Sequence, residues 1–176
     1  GTDPGTTDPG DVDIKVTVPE GDGGGDPGPG PGTGELSLTI EGSGPANLGT
    51  AASTANGFIA NGNLRPVRVD DNRSTPAAWS VNGQASAFAS GSDSLGAQHL
   101  GWAPSLSTNT TGAAAGPEVA PSTTAGEGLA VSRTLVSAGG TATAGSTTVD
   151  TALTLQAPTG TPAGAYGSKL TLTLVG

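Results

Sequence analysis

The chain has 176 residues, a formal net charge of -9, and neither cysteine nor methionine. This length suits one domain with an extension, and the lack of cysteine excludes disulfides, thiolate catalysis and cysteine-ligated metals. The acidic balance argues against nucleic acid and anionic membrane surfaces as partners, since both need a basic face. No apolar run is long enough for membrane insertion. Because the chain starts at Gly1 rather than Met, we expect a secreted, mature protein after signal-peptide removal.

Residues 1–18 form an N-terminal extension that contains one isolated strand. In the segment from Asp11 to Val18, apolar and polar residues alternate, and the period of two predicts a half-buried strand. Its apolar face carries Val12, Ile14, Val16 and Val18. A single strand is not stable, because its backbone groups need a ladder partner. The strand must therefore dock on its own domain, on another copy, or on a different partner.

Residues 19–34 predict a linker that is rich in glycine and proline and cannot form a hairpin back onto a neighbour. At up to about 3.1 Å per residue, such a semi-extended linker spans on the order of 45 Å, the width of a small domain. Much of the acidity also lies in the first 26 residues, where Lys15 is the one opposing charge.

Residues 35–176 predict a domain built from many short strands with glycine, proline, serine and asparagine breaks between them. No segment has a convincing helical period, although 113–115 is a weak local exception. This pattern favours an all-β fold, an antiparallel β-sandwich. The predicted strands are 35–41, 65–69, 79–88, the region around 129–135, 147–155 and 169–175.

Five short motifs in this domain occur in a characteristic order: Val67 to Arg73, Trp79 to Gln84 with Phe88, Leu100 to Pro104, Pro162 to Tyr166, and Leu170 to Leu174. In order and spacing the chain resembles the WxL domain of Gram-positive surface proteins, especially the actinobacterial variants. It departs from them in having Trp-Ser-Val as the first motif and Leu170 or Leu172 where the family has a second tryptophan.

The resemblance implies a non-enzymatic, extracellular cell-surface protein that attaches non-covalently to the peptidoglycan of the cell wall. It also implies that the motif residues are family signature or core positions. These are Asp70, Arg73, Trp79, Val81, Phe88, Trp102, Tyr166, Leu170, Leu172 and Leu174.

Candidates for chemistry are few, and we expect no catalytic residue, cofactor or metal. His99 is the single histidine, and it is more readily explained as a surface or loop residue than as a ligand or base. Asp70, Asp71 and Asn72 offer oxygen ligands for Ca²⁺, but a turn in which an aspartate pairs with Arg68 or Arg73 explains them better.

Two aromatic residues suggest a second kind of site. Trp79 and Trp102 are either sugar-stacking platforms or core anchors, and the latter is the commoner role in an aromatic-poor β domain. Tyr166 is expected to be a packing or corner residue.

Two functions follow. In the first, the protein is a structural subunit of a pilus-like surface filament, in which the donor strand at Val12–Val18 adds head-to-tail to a neighbouring copy. Burying four apolar residues contributes about 6–12 kcal/mol, which ordering eight residues nearly cancels at about 1–2 kcal/mol each. The strand therefore needs a pre-formed groove. In the alternative, the domain binds peptidoglycan or another wall polymer, and the tail is a spacer.

Overall fold

Alternating buried and exposed residues organise the chain into two sheets that pack face to face. The computed structural model describes residues 11–16 as a backbone strand, together with residues 35–122 and 126–176. Within them nearly all regular structure is β, and the predicted antiparallel β-sandwich is confirmed. No helix in this part of the chain is long and apolar enough to cross a membrane.

The first sheet is built around two long strands that pair antiparallel over nearly their whole length. In β12 buried residues alternate with more exposed ones, as expected where one face of a sheet is solvated, whereas β5 alternates less regularly and ends in three buried residues. In order across the sheet, its strands are β2 (Leu36–Ile40), β5 (Gly57–Asp71), β12 (Gly145–Pro158) and β9 (Leu100–Asn109), with β4 (Ala52–Thr54) also paired to β5.

The second sheet contains the N-terminal strand. In order across it, its strands are β10 (Ala114–Ala115), β11 (Arg133–Ala138), β6 (Trp79–Ala85), β13 (Tyr166–Val175), β1 (Asp11–Val16) and β3 (Ala46–Asn47). On the side of β13 that faces β6, the short strand β7 (Phe88–Ser90) also pairs with it and with β8 (Asp93–Leu95). Two 3-10 turns, Ala97–His99 and Gly128–Ala130, connect strands.

A bulge accommodates a proline inside the long strand β5. The register between β5 and β12 shifts between Val149 and Thr151, where Arg65 and Pro66 together oppose Asp150. Proline has no N–H to give to a ladder, so in a strand with neighbours on both sides it is tolerated at a bulge. Because the bulge takes up Pro66, β5 continues past a residue that could not occupy a regular ladder position.

The two sheets interlock where Trp102 of β9 packs against Gly83 of β6. A Cβ atom on Gly83 would lie 2.7 Å from Cη2 of Trp102 and 2.9 Å from Cδ2 of Leu172. The indole therefore occupies space that any other residue at position 83 would fill, and Trp102 is 2% exposed. Trp102 is a core anchor, as the aromatic-poor composition predicts.

Most residues of the WxL-like motifs lie in or against this core. The buried members are Asp70, Trp79, Val81, Phe88, Trp102, Tyr166, Leu170 and Leu172. Leu174 is half-buried against the core, and Arg73 is half-buried in the loop that follows the end of β5 at Asp71.

Several predicted strand bounds differ from the structure. The strand predicted at 65–69 is the second half of β5, which begins at Gly57. The strand predicted at 79–88 breaks after Ala85, and β7 begins at Phe88. The region around 129–135 begins as a 3-10 turn, and its strand starts at Arg133. The weak helical exception at 113–115 is wrong, because β10 lies there.

We expect Gly83→Ala to lower the thermal unfolding midpoint, because the new methyl group would collide with the Trp102 ring and Leu172. Overpacking a well-packed core costs about 1–3 kcal/mol, which is roughly 2–12 °C for a domain of this size. Gly139→Ala is the control, since nothing lies within 4 Å of its built Cβ. Equal midpoints for the two variants would contradict the proposed interlock.

Candidate functional site: a strand slot between β13 and β3

The N-terminal strand β1 lies inside the second sheet, between two strands of its own chain. It pairs antiparallel with β13 from Asp11 opposite Thr171 to Val16 opposite Tyr166. On its other side it pairs parallel with β3, where Ile14 lies opposite Ala46. We call the space between β13 and β3 the strand slot. The structure of the single chain thus shows the predicted strand docked in cis, in a slot with two backbone walls.

The register gives the apolar positions of β1 a defined place in the slot. Residues directly opposite each other in an antiparallel ladder share a face of the sheet. Val12, Ile14 and Val16 lie opposite residues of β13 whose side chains are buried, namely Leu170, Ser168 and Tyr166. These three positions of β1 therefore belong to the core-facing set. Val18, the fourth predicted contact of the strand, lies outside the described residues.

A group of hydrogen bonds through Ser86 holds the wall β13 in place at Ser168 and Lys169, halfway along the slot. The β6 ladder ends at Ala85 opposite Leu170. Beyond that pair, the Ser86 backbone N–H donates to Lys169 O at 2.9 Å and the Lys169 N–H donates to Ser86 Oγ at 3.0 Å. Ser168 Oγ donates to Ser86 O at 2.6 Å. We call this group the Ser86 clamp. It lies on the side of β13 that faces away from β1.

The opposite wall, β3, depends on the close approach of β5. A Cβ on Gly62 would lie 2.7 Å from Asn47 O and 2.6 Å from Leu48 Cδ2. Ala46 and Leu48 are both buried, and the Asn47 side chain accepts a hydrogen bond from the Gly49 N–H at 2.8 Å. Among the described strands, β3 has its ladder with β1 alone. The wall is thus packed on the first sheet but hydrogen-bonded to the inserted strand.

Tyr166 stands at the end of the slot, beside an apolar cavity of about 230 Å³. Its hydroxyl donates to Pro162 O at 2.7 Å, and burial, followed by the charge of Asp93, raises the pKa of this hydroxyl. The other walls include Phe58, Leu95 and Leu155. Tyr166 is therefore a packing residue at a corner of the fold, consistent with the sequence-based expectation.

Asp70 and Asp71 are engaged by arginines. Asp71 is fully buried and receives Arg73 Nε and Nη2, each at 2.9 Å, one on each carboxylate oxygen. This side-chain hydrogen bonding holds the pKa of Asp71 below its usual range. Arg68 pairs with Asp70 at 2.9 Å, and Ser146 Oγ donates to the same oxygen at 2.6 Å. Over residues 35–122 and 126–176, no group of acidic and histidine side chains is arranged to hold a metal.

His99 is buried, so the surface alternative predicted for it is wrong, whereas its place in a turn between strands agrees with the loop alternative. It lies in the turn Ala97–His99 and is 7% exposed. Its Nδ1 is hydrogen-bonded to Ser122 O, which links the turn to the segment that follows Val119. The backbone carbonyl of Ser122 is thus a polar partner for the buried ring. His99 therefore makes a contact that joins two segments of the fold.

Comparison with known proteins finds no family model, no curated protein and no solved structure that matches this chain. The WxL resemblance and its wall-attachment function therefore stay predictions from the sequence motifs.

We expect Asp71→Asn to reduce stability most at neutral pH. Because the folded pKa of Asp71 lies below the unfolded one, its ion pair stabilises the fold fully above about pH 5, and this contribution is lost as pH falls through the folded pKa. The difference in midpoint between the natural protein and the variant should therefore narrow in acid. Glu118→Gln, at an exposed position, is the control. A difference that widens in acid would contradict this role for Asp71.

We expect deletion of residues 1–16 to lower the unfolding midpoint sharply, because it strips one side of β13 and the ladder of β3. A synthetic peptide with the sequence of residues 11–18 should restore the midpoint in a concentration-dependent way. A peptide of the same composition in scrambled order is the control. Full stability of the truncated chain without peptide would show that the slot needs no strand.

Proposed function

We propose that this protein is a non-enzymatic, extracellular structural subunit that assembles head-to-tail by giving β1 to the strand slot of a neighbouring copy. One observation carries the proposal. The strand β1 occupies an internal place in the sheet, yet its covalent connection to the rest of the domain runs through the glycine- and proline-rich residues 17–34. Such a strand is exchangeable, because the same ladder forms whichever copy supplies it.

The linker decides between docking in cis and docking in trans. Both states make the same contacts with β13 and β3, so their free energies differ through the linker and through protein concentration. A tethered strand has an effective concentration in the millimolar range when the linker spans the distance comfortably. Exchange is therefore favoured by a high local concentration of the protein at a surface. It is also favoured by a linker that does not comfortably reach the slot of its own chain. A strand given to the next copy leaves the donor's own slot open. The assembly becomes a chain when a third copy fills that slot, and a closed dimer when the recipient's own strand fills it.

The described residues support a structural role better than a catalytic one. His99 and the two aspartates at the end of β5 are each committed to internal contacts. The clusters of hydrogen-bonding side chains lie between strands, as in the group of Asn109, Thr111 and Thr147, where they join β9 to β12. These contacts stabilise the sandwich.

Wall binding, the alternative, gains no specific support from the side chains. Trp79 and Trp102 are 3% and 2% exposed. Neither indole face is open to stack on a sugar ring, so the wall-binding hypothesis loses its candidate platforms. Retention on purified peptidoglycan remains its direct test, and wild-type protein that does not bind would exclude it.

A disulfide trap distinguishes cis from trans docking, because the chain has no cysteine of its own. Asp13 lies directly opposite Lys169 in the ladder, and directly opposed positions are within the Cα separation that a disulfide needs. The double variant Asp13→Cys with Lys169→Cys should form covalent multimers on a non-reducing denaturing gel if the strand is exchanged. It should run as a cross-linked monomer if the strand docks in cis.

The control is Asp11→Cys with Lys169→Cys, which is offset by one pair on the same face of the ladder. Diagonal positions lie about 7–8 Å apart, too far for a disulfide. It should therefore not cross-link in either state. A cross-linked monomer for the first variant at every concentration, with no filaments in electron micrographs of the natural protein, would refute the assembly proposal.

A further inference from the structure

We propose that the strand slot selects its strand by size at one central position, the position of Ile14. The slot is notched there, because both of its walls carry a small residue beside that position. This inference deepens the proposed function and rests on it only in that both use the same slot. It predicts which sequence the slot accepts and in which register, whether the strand comes from its own chain or from a neighbour.

The register defines the notch. Ile14 lies opposite Ser168 on β13 and opposite Ala46 on β3. On β13 the notch is flanked by two much larger core-facing residues, Leu170 on one side and Tyr166 on the other. In the register, the largest residue of the set in β1 is thus paired with the smallest residues of the walls, while Val12 and Val16 are paired with the large residues Leu170 and Tyr166.

Ser168 is small and polar, and its hydroxyl is already bonded on the far side of the strand. It donates to Ser86 O at 2.6 Å and lies 3.2 Å from Ser86 Oγ. Ser86 belongs to the connection between β6 and β7, on the edge of β13 that faces away from β1. A buried hydroxyl without a partner would oppose an apolar neighbour. The Ser86 clamp removes that conflict and leaves the notch suited to an aliphatic group.

The notch makes a shifted register unfavourable. A slip of one residue reverses the faces of β1 and moves Asp13 or Lys15 into the core-facing set. A slip of two residues keeps the faces but places Ile14 opposite Leu170 or Tyr166 and a valine opposite the notch. Alternation alone excludes the first slip and not the second. Size at one position is what distinguishes the correct register from registers two residues away.

The test exchanges two residues of β1 without changing its composition. The double variant Val12→Ile with Ile14→Val keeps the length, charge, total apolar volume and β-branching of the strand. Under the proposal it leaves a gap at the notch and crowds Leu170, so the unfolding midpoint of the full chain should fall by about 3–8 °C. The same exchange between Val16 and Ile14 should lower it similarly.

A second pair of variants tests the other wall. Ala46→Val should lower the midpoint of the natural chain by more than it lowers that of the Ile14→Ala chain, because the smaller residue leaves room for the added methyl groups. Such non-additivity is expected of residues that share one space. Val12→Ala is the matched control, and combined with Ala46→Val it should be additive.

These measurements are made on the dilute full chain, so they do not depend on filament formation. Unchanged midpoints for both exchange variants, or additive effects of Ile14→Ala and Ala46→Val, would overturn the notch. A notch that holds, together with a cis disulfide at every concentration, would refute the filament proposal and leave the size selection of the slot intact.

Discussion

The backbone of β13 needs hydrogen-bond partners on both of its sides, and the second sheet is arranged around that need. One side is served by β6 and β7, with the Ser86 clamp covering the gap between them. The other side, from Tyr166 to Thr171, is served by β1. Because the core-facing residues of β13 are buried against the first sheet, its edge is not free to turn towards solvent. A strand from the far end of the chain is therefore an internal strand of the sheet, between β13 and the edge strand β3.

The first sheet holds the platform on which this arrangement rests. The long pair β5 and β12 keeps its register through the bulge at Pro66, and β9 extends it far enough to carry Trp102. Trp102 packs across the interface between the sheets against Gly83, which belongs to β6, the strand that pairs with β13. Of the few aromatic residues in the chain, Trp102 makes a contact with Gly83 that is too close for any larger residue at position 83.

The elements that the sequence predicts well are those in which alternation is unbroken, such as β2 and β13. The first half of β5 was missed because Asn61-Gly62-Asn63 is typical of a turn, whereas Gly62 is there to let β3 approach. The strand β9 was not predicted, although its motif was noted, because Gly101 and Pro104 interrupt its pattern. Pro104 is tolerated there because β9 has a ladder on one side, apart from a bridge to Val119.

The slot itself is not visible in the sequence. Alternation shows that Val12, Ile14 and Val16 need a partner, but the partner is formed by β3 and β13, which are more than 100 residues apart in the chain. The small residues that make the notch, Ala46 and Ser168, are unremarkable in a chain rich in alanine and serine. Their pairing with Ile14 depends on the register between strands that are distant in the sequence. The burial of His99 was missed for the same reason, since its partner Ser122 lies in another segment.

The inserted strand lies in the slot in one orientation, antiparallel to β13 and parallel to β3. Every joint in an assembly built this way would therefore point the same way along the fibre. Its two ends would be chemically different, one presenting an empty slot and the other an unpaired strand. Growth and its arrest would then be separate events. A short peptide that fills the slot would stop addition at one end while leaving the other able to grow.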